Sequence, residues 1–325
     1  MHRKSDRLIA TDTSSISRRG FLLSAGLLGT AAWLSPGDLF GQETDVVAMI
    51  RADAAKSEIK VQPLRRNISA LIGSGGNVAV LTGADGKLLI DAGIAVSRPR
   101  ISAALTGISA KPIRHLINTH WHFDHTGGND WLHAAGASIT AHANTRKHLS
   151  VATRVEGWKT TFPAAPGGAL PTTVFMTSCA MHVNDESIAL QRYEPAHTDA
   201  DISVRFEAAD VLHVGDTWWN GLYPFIDYST GGSIDGTIRA AEANVAAAGP
   251  ATIVVPGHGP VGDRAGLIEF RDMLVAIRER VAALKKRGMS LEESVAANPT
   301  ASYDAKWGDF PMDGRKFTAL VYAGV

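Results

Sequence analysis

The chain predicts a layered α/β domain, and three observations predict it. Short apolar runs alternate with helix-patterned runs through two successive halves of the sequence. Polar residues gather where apolar runs end and Gly- or Pro-marked loops begin. There are 325 residues, 45% of them hydrophobic, and no internal repeat, which suits one large core.

The elements follow in order. Residues 43–60 are polar and helix-leaning. Strand signals begin at Asn67. Residues 77–81 and 87–90 flank Ala84-Asp85-Gly86, and Asp-Gly between two apolar runs predicts a hairpin. Residues 97–108 carry helical spacing, and the largely apolar run 113–117 reads as a buried strand. Gly127-Gly128-Asn129-Asp130 caps a helix that stops at Gly136. Residues 138–141 form a short strand and 144–149 a short helix. Residues 151–185 contain Pro163, Pro166, Gly167, Gly168 and Pro171 and are expected to be a long loop. Strands resume at 187–193, 202–206 and 211–214. An Ala-rich helix at 234–247, a strand at 251–255 and a long helix at 265–287 come next. The tail, 290–325, opens on Ser290-Leu291-Glu292-Glu293, a capping-box pattern.

The densest chemistry is Thr119-His120-Trp121-His122-Phe123-Asp124-His125, directly after the strand at 113–117. Imidazole and carboxylate suit a borderline divalent metal such as zinc. A histidine on an apolar face is ordinarily a packing residue, but four donor groups in six positions are not explained that way. Three further candidates lie downstream, each between an apolar run and a Gly- or Pro-marked loop: His197, Asp216 and His258. One tetrahedral zinc needs three or four ligands. Seven suggest two metals, bridged by a carboxylate and a water.

His-x-His-x-Asp-His, then a His, an Asp and a Gly-His-Gly together resemble the metallo-β-lactamase superfamily of hydrolases. Asp91, in Leu88-Leu89-Ile90-Asp91-Ala92-Gly93, resembles that superfamily's structural aspartate. The resemblance covers residues 66 to 280. It implies an αββα sandwich, two mixed sheets face to face with helices outside and metals at one edge. It assigns His120, His122 and His197 to a first metal, Asp124, His125 and His258 to a second, and Asp216 to both. Together with the N-terminal pattern described next, it divides the chain into an export signal (1–41), a lead-in (42–65), a catalytic domain (66–285) and a helical tail (286–325). Two departures narrow it. Single-domain class B β-lactamases carry Cys where Asp216 stands and a substrate-gripping Lys where Trp219 stands. Asp at the bridge is more like the glyoxalase II, lactonase and phosphodiesterase branches, whereas the segments around His197 and His258 resemble the lactamase-like branch.

Ser17-Arg18-Arg19-Gly20-Phe21-Leu22 leads into an apolar run of about 14 residues, with Arg3, Lys4 and Arg7 upstream. This resembles a twin-arginine export signal and implies transient contact with that machinery and a periplasmic location. The run is shorter than the ~20 residues of a membrane span, so no stable span is expected. The whole chain has 32 basic and 32 acidic residues, and residues 1–41 hold five and three of them. The rest is close to neutral, with no basic stripe for nucleic acid. The single cysteine, Cys179, cannot form an internal disulfide and is expected to be buried.

The chemistry these residues imply is hydrolysis of a small molecule. Zinc lowers the pKa of water from ~15.7 to about 7, and Asp124 would orient the water and pass its proton on. The expected cofactor is two Zn2+ per chain, with Fe or Mn as alternatives. Trp218 and Trp219, adjacent after Asp216, are expected to form an apolar substrate wall. Asn220 is a candidate oxyanion donor, and Thr119, Thr198 and Asp199 are candidates to fix imidazole tautomers. A cyclic or activated acyl bond, as in a β-lactam or a lactone, is the expected target. Thioester or phosphodiester hydrolysis is an alternative. So is a metal-bearing redox or binding protein on the same scaffold, for which no flavin domain is in evidence.

Overall fold

The computed structural model describes residues 45–325 apart from 74 and 310; the export signal expected at 1–41 lies outside the described residues. Helix α1 (Val46–Ala54) is capped by Asp45, whose carboxylate accepts from the amide of Ala48. Strands β1 (Lys60–Pro63), β2 (Ile68–Ile72), β3 (Val78–Gly83), β4 (Gly86–Ile90), β5 (Ile113–Asn118) and β6 (Ser138–His142) follow one another across the first sheet. β1 to β4 pair antiparallel, whereas β4, β5 and β6 pair parallel. β7 (Thr153–Val155) and β8 (Thr160–Phe162) make a separate small hairpin, and β9 (Thr173–Phe175) pairs parallel with β6 as the seventh strand. The second sheet is β10 (Ser178–Val183), β11 (Glu186–Arg192), β12 (Ile202–Phe206), β13 (Val211–His213) and β14 (Ile253–Val255), mixed because β13 and β14 run parallel.

Strand periodicity divides the side chains between layers. In β3, Ala79 and Leu81 join Leu88, Ile90 and Ile117 against Ile188, Leu190, Val204 and Phe206 of the second sheet. The alternate residues Val78 and Val80 face the other way, onto Ile101 and Leu105 of α2 (Arg98–Ile108). Two short helices follow β5: α3 (Phe123–Thr126) and α4 (Asn129–Ala134). A third, α5 (Ala143–Leu149), follows β6. The outer face of the second sheet, with Leu212 and Val254, is covered by α6 (Ile234–Ala247) and α7 (Arg264–Lys286). The result is the expected αββα order. The tail adds α8 (Leu291–Ala296), α9 (Asp304–Trp307) and α10 (Gly314–Gly324), and the capping box at Ser290 and Glu293 forms in both directions.

The segment 151–185 departs from expectation. It is not a loop: it supplies β7, β8, β9 and β10. Three-residue strands are too short to display alternation, and the prolines fall between them. β10 joins β11 through Asn184-Asp185, both at positive φ, the two-residue turn that matches strand twist. Residues 60–63, at the end of the lead-in, form the edge strand β1 by pairing with β2. Cys179 is half-buried on β10 rather than enclosed, as that strand lies at a sheet edge.

Candidate metal centre

All seven candidate ligands meet at one edge of the sandwich. His120 and His122 lie in the loop after β5, and Asp124 and His125 on α3. His197 lies in the loop after β11, Asp216 in the turn after β13, and His258 after β14. Their donor atoms form two groups, His120, His122, His197 and Asp216, then Asp124, His125 and His258. Asp216 joins the groups: its carboxylate oxygens lie 3.4 Å from His197 Nε2, 3.0 Å from His125 Nε2 and 3.3 Å from His258 Nε2. Asp124 Oδ2 lies 3.3 Å from His258 Nε2.

Two glycines allow this convergence. A Cβ on Gly257 would sit 1.9 Å from Asp216 Oδ1, and one on Gly76 would sit 2.1 Å from His125 Cε1. Any other residue would push a ligand out of place.

The hydrogen bonds settle the imidazole tautomers. Asp91, buried and held at a left-handed φ of 65°, accepts from the Thr119 amide and hydroxyl, each at 2.7 Å, and from His125 Nδ1 at 2.8 Å. With its hydroxyl proton spent on Asp91, Thr119 Oγ1 accepts from His120 Nδ1 at 3.1 Å. His122 Nε2 donates to Asp227 Oδ2 at 3.1 Å, and His197 Nδ1 donates to the carbonyl of Phe225 at 2.8 Å. The rings of His120, His122 and His197 therefore each turn a lone pair toward the centre, and His125 turns its Nε2 there.

That arrangement fits a cation. His122 Nδ1 and His197 Nε2 face each other at 2.8 Å with their N–H groups committed elsewhere. Two facing lone pairs repel unless a positive charge lies between or beside them. His120 Nε2 is buried without a hydrogen-bond partner. Burial, together with the nearby His125 charge, holds His120 well below the usual histidine range. Burial opposes charge on His125 and His258 as well. There the Asp216 and Asp124 carboxylates win, lifting His125 well above the usual range and His258 to about 9. The donor set is imidazole nitrogen and carboxylate oxygen, which suits zinc and its neighbours.

Not every expected residue joins the site. Trp218 is fully buried and packs on Gly262 and Gly266 at the start of α7; it belongs to the core, not to a substrate wall. The reason is chain direction, since adjacent residues of extended backbone point to opposite sides. Trp219 takes the other side, its ring 4.2 Å from that of His258. Asn220 donates one side-chain N–H to the Pro260 carbonyl, 2.7 Å away, which leaves the other N–H of that amide. Thr198 bonds to Asp201 and Asp199 to His148, so neither orients a ligand; Thr119 does. His142 caps α5 and its Nε2 bonds to the Met176 carbonyl.

Two contributors were not foreseen. Asp227 is held by Thr230 Oγ1 at 2.6 Å and by the Ser229 amide at 3.1 Å, and presents its carboxylate to His122. Burial would raise its pKa, but the His122 bond and these donors hold it at about 2. Its sequence signal, Asp-x-Ser-Thr in a loop, is too common to single out. Trp158, at the tip of the β7–β8 hairpin, lies against His122 at 4.8 Å and stacks on Phe225 at 4.9 Å. The Glu156 amide at the same tip donates to Ser229 Oγ at 3.1 Å.

The match to known proteins agrees with this geometry. Residues 71–258 match the family described as the metallo-beta-lactamase superfamily. Among solved structures, a stereoselective inverting sec-alkylsulfatase from Pseudomonas sp. aligns over 84% of this chain and 51% of its own, with TM-score 0.61 and 17% identity. A metallo-beta-lactamase from Pontibacter korlensis aligns over 67% of this chain and 99% of its own, with TM-score 0.53 and 17% identity. At these identities the likeness is one of fold, and the chain spans about half the length of the alkylsulfatase. No curated protein matches the chain in sequence.

Proposed function

This chain belongs to the metallo-beta-lactamase superfamily, and from that premise we propose a zinc-dependent hydrolase of cyclic or activated acyl bonds, lactone-like or β-lactam-like, in substrates with an apolar portion. The observation that carries the reading is the pair of His/Asp clusters joined through Asp216. Two bound zinc ions would supply a water of lowered pKa and Lewis acidity toward the scissile carbonyl. His120, His122 and His197 would hold one, Asp124, His125 and His258 the other, and Asp216 both.

The remaining chemistry belongs to the chain. Of the two carboxylates, Asp124 keeps 11% of its side chain exposed and Asp216 only 2%. Asp124 therefore faces incoming water, accepts its proton at Oδ2 and returns it to the leaving group. Asp216, enclosed among four imidazoles, keeps its charge and fixes the spacing.

Aromatic side chains flank both halves, Trp158 and Phe225 beside His122 and Trp219 beside His258. Trp158 is half-buried. Trp219 is itself buried but stands where a carboxylate-gripping Lys would, so that with the half-buried Trp158 the site favours a neutral ring or acyl chain over a small anion. Export by the twin-arginine route is part of the proposal, resting on Arg18-Arg19 and the apolar run after them. Among the described residues no helix is long and apolar enough to cross a membrane.

The test is metal analysis of the purified chain and one assay panel: a β-lactam, a lactone, a thioester, a phosphodiester and, given the alkylsulfatase likeness, a sulfate ester. Chelator-sensitive acyl cleavage with two zincs is expected. Iron with redox activity, or turnover confined to the phosphorus or sulfur esters, would overturn the reading.

A further inference from the structure

We propose that the C-terminal tail is a clamp that sets the geometry of the first cluster, acting at a distance through the loop that carries Phe225 and Asp227. The proposal rests on the metal-centre part of the reading above and is independent of the substrate. The tail lies beyond residue 258, where the superfamily match ends.

The loop between Trp219 and α6 has no strand pairing of its own along residues 221–227. Yet it delivers two of the contacts that orient the first cluster, the Phe225 carbonyl to His197 and the Asp227 carboxylate to His122. Two tyrosines five positions apart bracket those contacts, and both are tied to the tail. The Tyr223 amide donates to the Trp307 carbonyl at 2.9 Å, and its hydroxyl donates to Asp304 Oδ1 at 2.9 Å. Its ring stacks on Phe317 of α10 at 4.7 Å and 9°. The Tyr228 hydroxyl donates to the Leu320 carbonyl at 3.0 Å. The tail is itself fixed, with Phe317 and Val321 in the core and Lys285 of α7 bonded to the Tyr322 carbonyl at 2.9 Å.

The second cluster is supported differently. His125 leans on Asp91, just after β4, and the His258 carbonyl accepts from the amide of Asn220, which opens the same loop but precedes both tail-tied tyrosines. A tail that merely completed the core would, when loosened, weaken both clusters alike. A clamp weakens only the first. Tyr223 and Tyr228 are thus positioning residues that act through Phe225 and Asp227.

The experiment is a zinc titration of the full chain against a chelating indicator, resolving two steps. His258→Ala identifies the second-site step by removing it, and Asp227→Asn gives the pattern of direct loss at the first. In the Tyr223→Phe/Tyr228→Phe double variant, which keeps both rings, first-site affinity should fall about tenfold while the second changes by less than about twofold. The cobalt(II) absorption bands of the first site should shift in the same variant. Unchanged affinity at both sites, or an equal fall at both, would overturn the clamp. Should the double variant fail to fold by circular dichroism, Tyr228→Phe alone gives the same comparison with one bond removed. Wild-type chain that binds two zincs but turns over no acyl substrate would defeat the hydrolase proposal and leave the clamp standing.

Discussion

The two clusters share one carboxylate but are enclosed to different degrees. His120, His122 and His197 are 0–1% exposed, and each backs onto a fixed acceptor: Thr119, Asp227 or the Phe225 carbonyl. In the second cluster His258 keeps 16% of its side chain exposed and Asp124 11%. The difference separates two jobs. The enclosed half holds geometry, since every ring there is locked by a partner behind it. The open half meets solvent at Asp124 and His258, so water and its proton arrive there.

The largest effect should come where the halves join. Asp216→Ala should abolish turnover and strip both metals on dialysis, read by elemental analysis. Retention of one metal at full affinity would show the clusters to be independent. Next is the open half alone. Asp124→Asn should lower kcat by about 10²- to 10⁴-fold, with the first metal retained. Equal loss of both metals would mean that Asp124 is structural.

The enclosed half is sharpened by Asp227→Asn. First-site metal affinity should fall by about 10- to 100-fold. The metal-free protein should also change with pH. Burial keeps His122 neutral, so its N–H, with Ser229 and Thr230, holds Asp227 charged. The folded carboxyl titrates at about 2 against an ordinary 3.8. A depressed carboxyl stabilises above the ordinary value and loses that contribution as pH falls through the folded one. At neutral pH wild type should exceed the variant by about 2 kcal/mol in urea unfolding, and the gap should narrow below pH 4. A gap that does not vary with pH would place the cost of the substitution elsewhere.

The smallest effect concerns the aromatic flanks. Trp158→Ala should raise KM about tenfold or less for a substrate with an apolar ring and leave a small acetyl ester unchanged, with kcat little altered. If KM rises equally for both, the hairpin supports His122 and does not touch the substrate.

Much of the metal centre was legible because its ligands are locally dense. Four of the seven fall within six residues, and the others each follow an apolar strand. Asp91 was legible as a motif, though its left-handed backbone and three hydrogen bonds were not. Trp218 and Trp219 were legible only as a pair; which one entered the core depended on the path of the chain over Gly262 and Gly266. The region 151–185 reads as a loop because its strands are three to six residues long and its prolines gather between β8 and β9. Only pairing with β6 and β11 makes β9 and β10 strands. The Asn184-Asp185 turn was the one signal there to be used.

By itself the sequence determined what is local: the alternation that builds four layers, the turns, the capping box, and the donor chemistry of the centre. Each follows from side-chain spacing along a few residues, where backbone geometry converts position into direction. Tertiary structure decided what depends on segments far apart in the chain. It chose which nitrogen of each imidazole faces inward, because Asp227 is 105 positions from His122 and Phe225 is 28 from His197. It brought Trp158 beside the ligands and set the tail beneath the loop that holds them. A hydrogen bond constrains only the partners that folding brings within reach, and no local pattern records which they will be.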